Sequence, residues 1–460
     1  MTSATGPTTA TISLTDMERA ISAISTANGV GGVAIIRMSG EGVFDILEKA
    51  FRPLGKIKTK DFEPYKMYVG EIDCGDFTDF GMAVIFKAPK SYTGEDMVEF
   101  HCHGGVQITR GVFAETVKLG AAPATRGEFT KRAFINGKLS LDGAEGLISM
   151  INGESRAAVK AGYSLYREKL YEKITAMQND LTFCLAGVNA DMDYPEEDLQ
   201  ATATSEVKET LESVKRRIKK LLEEYKTGAK VKSGVKVAIV GKPNTGKSSI
   251  LNRLLEYDKA IVSSVAGTTR DVVEGAIEIN GVNFYLFDTA GIRESDDEIE
   301  KIGIEKSAKI LKTADIAIAV FDGSEKFDSE DKKILSAVGD KETITVYNKS
   351  DLSRRSTENG LIISAKTGEG LEELKNELYK RSFSEGIDEN CEFVTEERHY
   401  NALKNAYDKT VSAIENADCV PLDLISEDIK DIWSELGLIT GKTANEEIID
   451  EIFSKFCVGK

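Results

Sequence analysis

Gly241-Lys242-Pro243-Asn244-Thr245-Gly246-Lys247-Ser248 fits the pattern G-x-x-x-x-G-K-[ST], and it follows the apolar run Val235-Lys-Val-Ala-Ile-Val240. A strand, a glycine-rich loop and a helix in that order form a phosphate cradle. The glycines let backbone N–H groups curl around the β-phosphate. Lys247 can reach the β- and γ-phosphates, and the Ser248 hydroxyl can bind Mg²⁺. Leu251, Leu254 and Leu255 give the following segment a helical apolar face, and its positive end points at the anion. The stretch therefore predicts a nucleotide site in an α/β domain.

Three further loops say which nucleotide. Asp288-Thr289-Ala290-Gly291 follows the strand-like Phe284-Tyr-Leu-Phe287. Its aspartate would hold Mg²⁺ through water, and the Gly291 N–H would sense the γ-phosphate. Asn348-Lys349-Ser-Asp351 follows Ile344-Thr-Val-Tyr347. A carboxylate at Asp351 accepts the N1–H and the 2-amino group of guanine. Adenine offers neither donor, so ATP would leave a buried charge unpaired. Ser364-Ala365-Lys366, after Leu361-Ile-Ile363, supplies a backbone N–H for the guanine O6. Each tetrapeptide alone is weak. Four in order, each at a strand end, predict a doubly wound G domain that binds GTP.

Composition places this domain in a larger chain. At 460 residues, two to four domains are expected. The formal net charge is -17 and 41% of residues are hydrophobic. No run reaches the roughly 18 apolar residues that a membrane helix needs. The start, Met1-Thr-Ser-Ala-Thr-Gly-Pro, lacks the basic region and apolar core of a signal peptide. Six cysteines lie scattered at 74, 102, 184, 391, 419 and 457, without a C-x-x-C. A reducing, cytoplasmic setting without structural disulfides is expected. An acidic chain does not bind nucleic acid over its whole surface, but local basic clusters remain as candidates. They are Lys215-Arg-Arg217 with Lys219-Lys220, read first as a solvated helix face, and Arg126, Lys131, Arg132 and Lys138.

The expected organisation is multidomain, α/β plus α. Residues 1–13 read as a disordered polar tail. Residues 14–135 mix β and α, with strands at Val33–Ile36 and Met82–Phe86 and a helix at Val106–Leu119. Residues 136–232 read as long helices, such as Glu206–Tyr225 with apolar Val207, Leu211, Val214, Ile218, Leu221 and Leu222. The G domain spans 233–385. Residues 386–460 return to helix at Glu396–Asn416 and Glu446–Phe456. The G domain is thus read as inserted into one helical domain.

Several blocks resemble the MnmE (TrmE) family of bacterial tRNA-modification GTPases. They are Gly-x-Pro-Asn-x-Gly-Lys-Ser-Ser at 241–249, Ala266-Gly-Thr-Thr-Arg-Asp271, and Arg293-Glu294 with an acidic stretch leading to Glu300-Lys-Ile-Gly-Ile304. The amino-terminal half adds Gly31-Gly-Val-Ala-Ile-Ile-Arg37, Ser91-Tyr-Thr-Gly-Glu-Asp96, His103-Gly-Gly105 and Gly127-Glu-Phe-Thr-Lys-Arg-Ala-Phe134. The chain ends in Phe456-Cys-Val-Gly-Lys460. The G motifs occur in many GTPases; the amino-terminal blocks and the Cys-x-Gly-Lys ending are specific.

The resemblance implies a tetrahydrofolate-binding and dimerising amino-terminal domain, a long-helix domain, and an inserted Ras-like P-loop G domain. It carries the GTP-contacting set onto Asn244, Thr245, Gly246, Lys247, Ser248, Ser249, Ser263, Ser264, Val265, Ala266, Gly267, Thr268 and Thr269. To these it adds Asp288, Thr289, Ala290, Gly291, Asn348, Lys349, Asp351, Ser364, Ala365 and Lys366. Thr269 would bind Mg²⁺ beside Ser248. Many GTPases orient the attacking water with a Gln after D-x-x-G. Here Ile292 occupies that position, and the resemblance assigns the catalytic acid to Glu300, beside Lys247. No arginine finger is evident. By resemblance, Asn244 with Ser263, Val265 and Thr268 would hold K⁺ where a finger's charge would sit, although Asn244 also suits a turn after Pro243. Such GTPases activate by pairing G domains across a homodimer.

The resemblance further implies a one-carbon tetrahydrofolate on Glu99, Arg37, Lys138 and Lys460, with Glu99 facing the pterin's amino and N3–H donors. Cys457 has a candidate role in the modification chemistry. The expected partner is MnmG, which uses FAD and NADH, and the expected product is an aminomethyl or carboxymethylaminomethyl group at C5 of the wobble uridine of certain tRNAs.

Two local patterns are set aside. His101-Cys-His103 puts two histidines on one strand face without a further Cys/His cluster, which does not make a zinc site. Gly441-Lys-Thr443 is not a second phosphate loop, because Leu436 stands where glycine is required. The alternative reading is a ribosome-assembly or RNA-binding GTPase switch. It would need a KH-type G-x-x-G or a second loop set, and residues 386–460 contain no G-x-x-G.

Overall fold

The computed structural model describes residues 19–193, 200–257, 275–288, 310–352, 360–383 and 394–460. Two compact units result: Met1–Ile148 with Gly437–Lys460, and Ser149–Leu436.

In the first unit, β-branched and aromatic runs form β1 (Ile21–Ile24), β2 (Gly31–Ser39), β3 (Phe51–Pro53), β4 (Tyr68–Asp73), β5 (Thr78–Phe86), β6 (Met97–Gly104) and β7 (Ala122–Pro123). They make one sheet in the order β3-β4-β5-β6-β2-β1-β7. All pairings are antiparallel except β1 with β7. Side chains alternate across a strand. In β6 this sends Val98, Phe100 and Cys102 into a core shared with Ile36, Met38, Leu47 and Val112. Glu99, His101 and His103 share the other face, and register sets Arg37 of β2 opposite Glu99. Helices Val43–Ala50 and Val106–Lys118 cover the core. The strands expected at Val33–Ile36 and Met82–Phe86 fall within these elements, and the helix expected at Val106–Leu119 ends at Lys118 with Leu119 as its C-cap.

The last residues belong with this unit. Helix Glu446–Ser454 buries Ile452 and Phe453, with Phe456 beyond it, against Leu141 and Ala144. Residues 437–460 therefore group with the amino-terminal unit, apart from the rest of the segment 386–460.

In the second unit, helix Gln200–Ser233 contains the expected amphipathic segment. Val207, Leu211, Val214, Ile218 and Leu221 repeat at intervals of three and four and are buried. Helices Lys169–Asp193, Glu397–Asn416 and Leu422–Thr440 complete the long-helix part. The chain enters the nucleotide domain after Ser233 and returns near Glu396. Both crossings meet there: Lys232 Nζ lies 2.5 Å from Glu396 Oε1, which also accepts from the Ser149 hydroxyl at 3.1 Å.

Between those crossings lie β8 (Val235–Gly241), β9 (Gly275–Ile279), β10 (Val282–Asp288), β11 (Ile316–Asp322), β12 (Thr343–Asn348) and β13 (Leu361–Ile362). Their order is β13-β12-β11-β8-β10-β9. Only the β9–β10 pair is antiparallel. Strand β11 is buried on both faces and reads as a continuous apolar run, and β8 departs from this only at Lys236 and Gly241; in β12 the buried Ile344, Val346 and Asn348 alternate with half-buried neighbours. The carboxyl ends of β8, β10, β11, β12 and β13 share one edge. β8 is the point where the order turns from β10 on one side to β11 on the other, which is where a ligand crevice forms.

Candidate nucleotide site

Gly241, Asp288, Asp322 and Asn348 are the last residues of β8, β10, β11 and β12, so one sheet edge gathers residues far apart in sequence. The phosphate loop leaves β8 and opens helix Lys247–Tyr257. Gly246 sits at φ +93°, and a Cβ there would meet Asn348 Nδ2 at 2.2 Å. Asn244 also has positive φ, 62°, a conformation that Asn tolerates better than most residues.

The loop is held by its own carbonyls. Thr245 Oγ1 donates to Lys242 O at 2.9 Å, and Lys247 Nζ donates to the same oxygen at 2.7 Å. Lys247 is buried; burial lowers its pKa, and the nearby Asp288 carboxylate opposes that shift. Ser248 Oγ donates to Asp288 Oδ2 at 2.7 Å. Two oxygen donors thus lie side by side, the donor type that a hard divalent cation takes.

The two loops expected to read the base are tied to the phosphate loop. Asn348 Nδ2 donates to Thr245 O at 2.9 Å, and Asn348 Oδ1 accepts from the Ala365 N–H at 3.0 Å. Lys349, at φ +68°, donates to Asp322 Oδ2 at 2.6 Å. Burial raises the Asp322 pKa, but hydrogen bonds from Lys349 and Ser324 more than offset it, so the carboxylate stays below its ordinary range. Asp351 Oδ1 accepts from the Ser364 hydroxyl at 2.8 Å, and Lys366 Nζ lies 3.8 Å from Oδ2. The Asp351 carboxylate is therefore oriented by its neighbours.

A second group converges in the first unit. Arg37 Nε donates to Glu99 Oε1 at 2.7 Å, and His101 Nε2 lies 3.3 Å from Glu99 Oε2. Burial raises the Glu99 pKa, yet the His101 hydrogen bond and the Arg37 charge bring it below the ordinary carboxylate value. The Arg37 guanidinium also lies 5.5 Å from the Tyr92 ring centroid. These residues and Lys460 line a cavity of about 320 Å³, walled by Phe86, Met97 and Leu147. The chain end reaches it because Val458 bridges Arg126 and Gly459 O accepts from Ser25 Oγ at 3.1 Å and Arg37 at 3.4 Å. Gly459 is at φ +94°, where a Cβ would overlap Ile24 O at 2.6 Å.

Comparison with known proteins identifies the architecture. A family model described as the TrmE N-terminus matches residues 20–138, and one described as the MnmE helical domain matches residues 141–457. The tRNA modification GTPase MnmE of Clostridioides difficile is 38% identical over 453 residues, 96% of this chain and 99% of that protein. The proteins of the same name from Acetivibrio thermocellus and Levilactobacillus brevis are also 38% identical, over 96% of this chain and 99% and 98% of theirs. This chain belongs to the MnmE family of tRNA modification GTPases.

A crystal structure of Era from Aquifex aeolicus bound to GDP·AlF4⁻ is similar over 38% of this chain and 66% of that one, at 29% identity and a TM-score of 0.27. Membership in the MnmE family makes GTP the nucleotide and its hydrolysis the reaction.

Among the expected nucleotide residues of this MnmE-family chain, Asn244, Thr245, Gly246, Lys247, Ser248, Asp288, Asn348, Lys349, Asp351, Ser364, Ala365 and Lys366 come together at the sheet edge. Ser249 is exposed on the first helical turn. Ser263, Ser264, Val265, Ala266, Gly267, Thr268, Thr269, Thr289, Ala290, Gly291 and Glu300 lie outside the described residues, as does Cys391. In the amino-terminal cavity, Arg37, Glu99 and Lys460 meet. Lys138 does not line it; its Nζ donates to Pro89 O at 3.1 Å. Cys457 is exposed, and its carbonyl accepts from the Gly127 and Lys460 N–H groups.

Several members of the candidate basic clusters are paired with carboxylates. Arg132 is fully buried, bonded to Glu128 at 2.9 Å and Glu95 at 3.2 Å, so it is not a surface cation. Lys131 pairs with Asp450, Lys215 with Glu212 and Arg217 with Asp180. His101 and His103 take separate carboxylates, Glu99 and Asp79. Sequence reasoning missed Lys242, Asp322, Asp328 and Asp331. Asp322 had a readable signal, since it closes the apolar run Ile316–Phe321 as Asp288 and Asn348 close theirs.

No described helix is long and apolar enough to cross a membrane.

Proposed function

We propose that this chain is a K⁺-stimulated GTPase that works with the FAD-dependent partner MnmG to install an aminomethyl-type group at C5 of the wobble uridine of certain tRNAs. The carbon would come from a tetrahydrofolate derivative. The observation that carries this reading is the meeting of Glu99, Arg37 and Lys460 in one cavity, in a chain that also assembles a guanine-nucleotide site. A GTP switch alone does not need such a cavity.

The residues fit the groups proposed. A carboxylate has about four acceptor positions. Arg37 and His101 use two on Glu99, leaving two for the paired donors of a pterin edge. Arg37 and Lys460 supply positive charge for carboxylate tails. Ser248 and Asp288 supply oxygen donors for Mg²⁺, which would neutralise charge on the phosphates, with Thr269 as a third contact. Asn244 would contribute to a K⁺ site with Ser263, Val265 and Thr268.

Lys247, held beside the loop by the Lys242 carbonyl, would bind the β- and γ-phosphates. Asp351 would select guanine. Glu300 would position the attacking water, since Ile292 cannot hydrogen-bond it. Hydrolysis would drive a conformational cycle in a homodimer and would not supply the transferred group. The acidic balance suits a partner that contributes much of the tRNA surface. Cys457, exposed near the end that reaches the cavity, is the candidate for covalent chemistry.

Nucleoside analysis of tRNA from a strain lacking this chain tests the proposal. Loss of the C5 substituent on the wobble uridine is expected; normal modification would exclude it and favour a switch in ribosome assembly.

A further inference from the structure

Lys242, the second residue of the phosphate loop, is held by side chain and backbone at once. Its Nζ lies 2.5 Å from Asp328 Oδ1 and 3.0 Å from Asp331 Oδ1. Both carboxylates are fixed independently of it. Asp328 caps helix Ser329–Val338, accepting from the Glu330 and Asp331 N–H groups at 2.8 and 3.1 Å. Asp331 returns the contact by accepting from the Asp328 N–H at 3.0 Å. This reciprocal capping box sets two negative charges at the helix's positive end. Asp331 is buried, and only 19% of the Lys242 side chain is exposed.

An isolated surface ion pair contributes little, because both side chains must be ordered in water. Here the acceptors are ordered already by the helix, and one lies out of solvent. The Lys242 hydrogen bond, with those from the Asp331 and Glu330 N–H groups, lowers the Asp328 carboxyl to about 2. At its backbone, the Lys242 carbonyl accepts from both Thr245 Oγ1 and Lys247 Nζ. The oxygen that holds the phosphate-binding lysine thus belongs to the residue anchored to the helix.

We propose that Lys242 is a positioning residue for GTP: its clamp by Asp328 and Asp331 fixes the carbonyl that holds Lys247, so that the ammonium is already placed where the phosphates arrive. Lys242 itself touches no phosphate in this scheme and acts through Lys247. Without the clamp, the loop must be ordered at the moment of binding, and affinity falls. The inference rests on the reading of this loop as the GTP site.

The test uses the full chain with Mg²⁺, titrated with a fluorescent GDP analogue and assayed for GTP turnover. Lys242→Met keeps the aliphatic stem and removes the charge. It is expected to weaken nucleotide binding and raise KM by roughly tenfold, the size of one net charge-assisted hydrogen bond. Its kcat at saturating GTP should stay within about twofold, as for lost ground-state binding. Lys242→Arg should restore most of the affinity. The double variant Asp328→Asn with Asp331→Asn removes both negative charges and leaves at each position one amide oxygen that can still cap the helix. It should reproduce the Lys242→Met loss, and combining all three changes should add nothing further.

Wild-type affinity and KM in Lys242→Met, or in the Asn double variant should Lys242→Met fail to fold, would overturn the proposal. So would additive losses on combination, or a fall in kcat alone. Failure of the wild-type chain to bind the analogue would instead overturn the nucleotide reading of the loop.

Discussion

Asn348 fills the space that a side chain at Gly246 would need. Its Nδ2 lies 2.2 Å from the position of a Cβ there and donates to the neighbouring Thr245 carbonyl, while its Oδ1 accepts from Ala365. One amide thus spans the phosphate loop and the loop proposed to read the guanine O6. Gly246→Ala would displace it and strain a left-handed backbone. Leaving the two buried partners unpaired costs roughly 2–4 kcal/mol, so GTP affinity should fall by about 30-fold or more. Asn348→Ala should give a similar loss. Titration with GDP checks both; unchanged affinity in Gly246→Ala would mean that the loop tolerates the side chain.

Asp351 should decide the base. Asp351→Asn replaces an acceptor for guanine's N1–H and amino group with an amide that can donate. GTP affinity should drop by about 100-fold or more, and xanthosine triphosphate, which carries a 2-oxo group, should bind better than GTP. Competition between the two nucleotides reads this out. Retained preference for GTP would remove Asp351 from base recognition.

Turnover should depend on Glu300 and on the cation in solution. Glu300→Ala should lower kcat by about 100-fold or more with GTP affinity unchanged. At matched ionic strength, KCl should support faster hydrolysis than NaCl, and Asn244→Ala should erase that difference. Equal rates in both salts for the wild type would exclude a catalytic K⁺ at this loop.

The Glu99 carboxylate gives a pH dependence of known sign. Its folded-state pKa is lowered, so its contribution to stability is present above the ordinary glutamate value, about 4.3, and is lost as pH falls through the lowered value. Denaturation midpoints measured downward from neutral pH should fall in that acid range, and Glu99→Gln should flatten this part of the profile. The same variant should weaken binding of a tetrahydrofolate by about tenfold or more. Unaltered folate affinity would count against the cavity as its site.

Thiol reactivity should follow burial. Burial pushes the Cys102 thiol to about 12 and those of Cys74 and Cys184 to about 11, so few thiolates form near neutral pH. Cys419 and Cys457 are exposed. Iodoacetamide on the native chain should label Cys419 and Cys457 and spare Cys74, Cys102 and Cys184, as peptide mass mapping would show. Labelling of Cys102 ahead of Cys457 would contradict the burial described.

The local elements were legible because local forces set them. Apolar runs at Val235–Val240, Phe284–Phe287 and Ile344–Tyr347 form strands because each buries apolar side chains in the central sheet, and the spacing of Val207, Leu211, Val214 and Ile218 forms a helix because it makes one apolar stripe. With strand ends known, the residues of the nucleotide loops follow from the parallel order.

By itself, then, the sequence determined the phosphate loop, the tetrapeptides that close the neighbouring strands, the helical periodicity and the family. The tertiary structure alone decided which distant residues meet. Register across β2 and β6 sets Arg37 opposite Glu99, and the packing of Ile452, Phe453 and Phe456 on Leu141 and Ala144 carries Lys460 to the same cavity while Lys138 stays outside it. The Lys242 clamp likewise depends on where β11 delivers the helix beginning at Ser329. Such meetings depend on pairing register and on the fit of apolar faces between segments far apart in the chain, and periodicity within one segment contains neither.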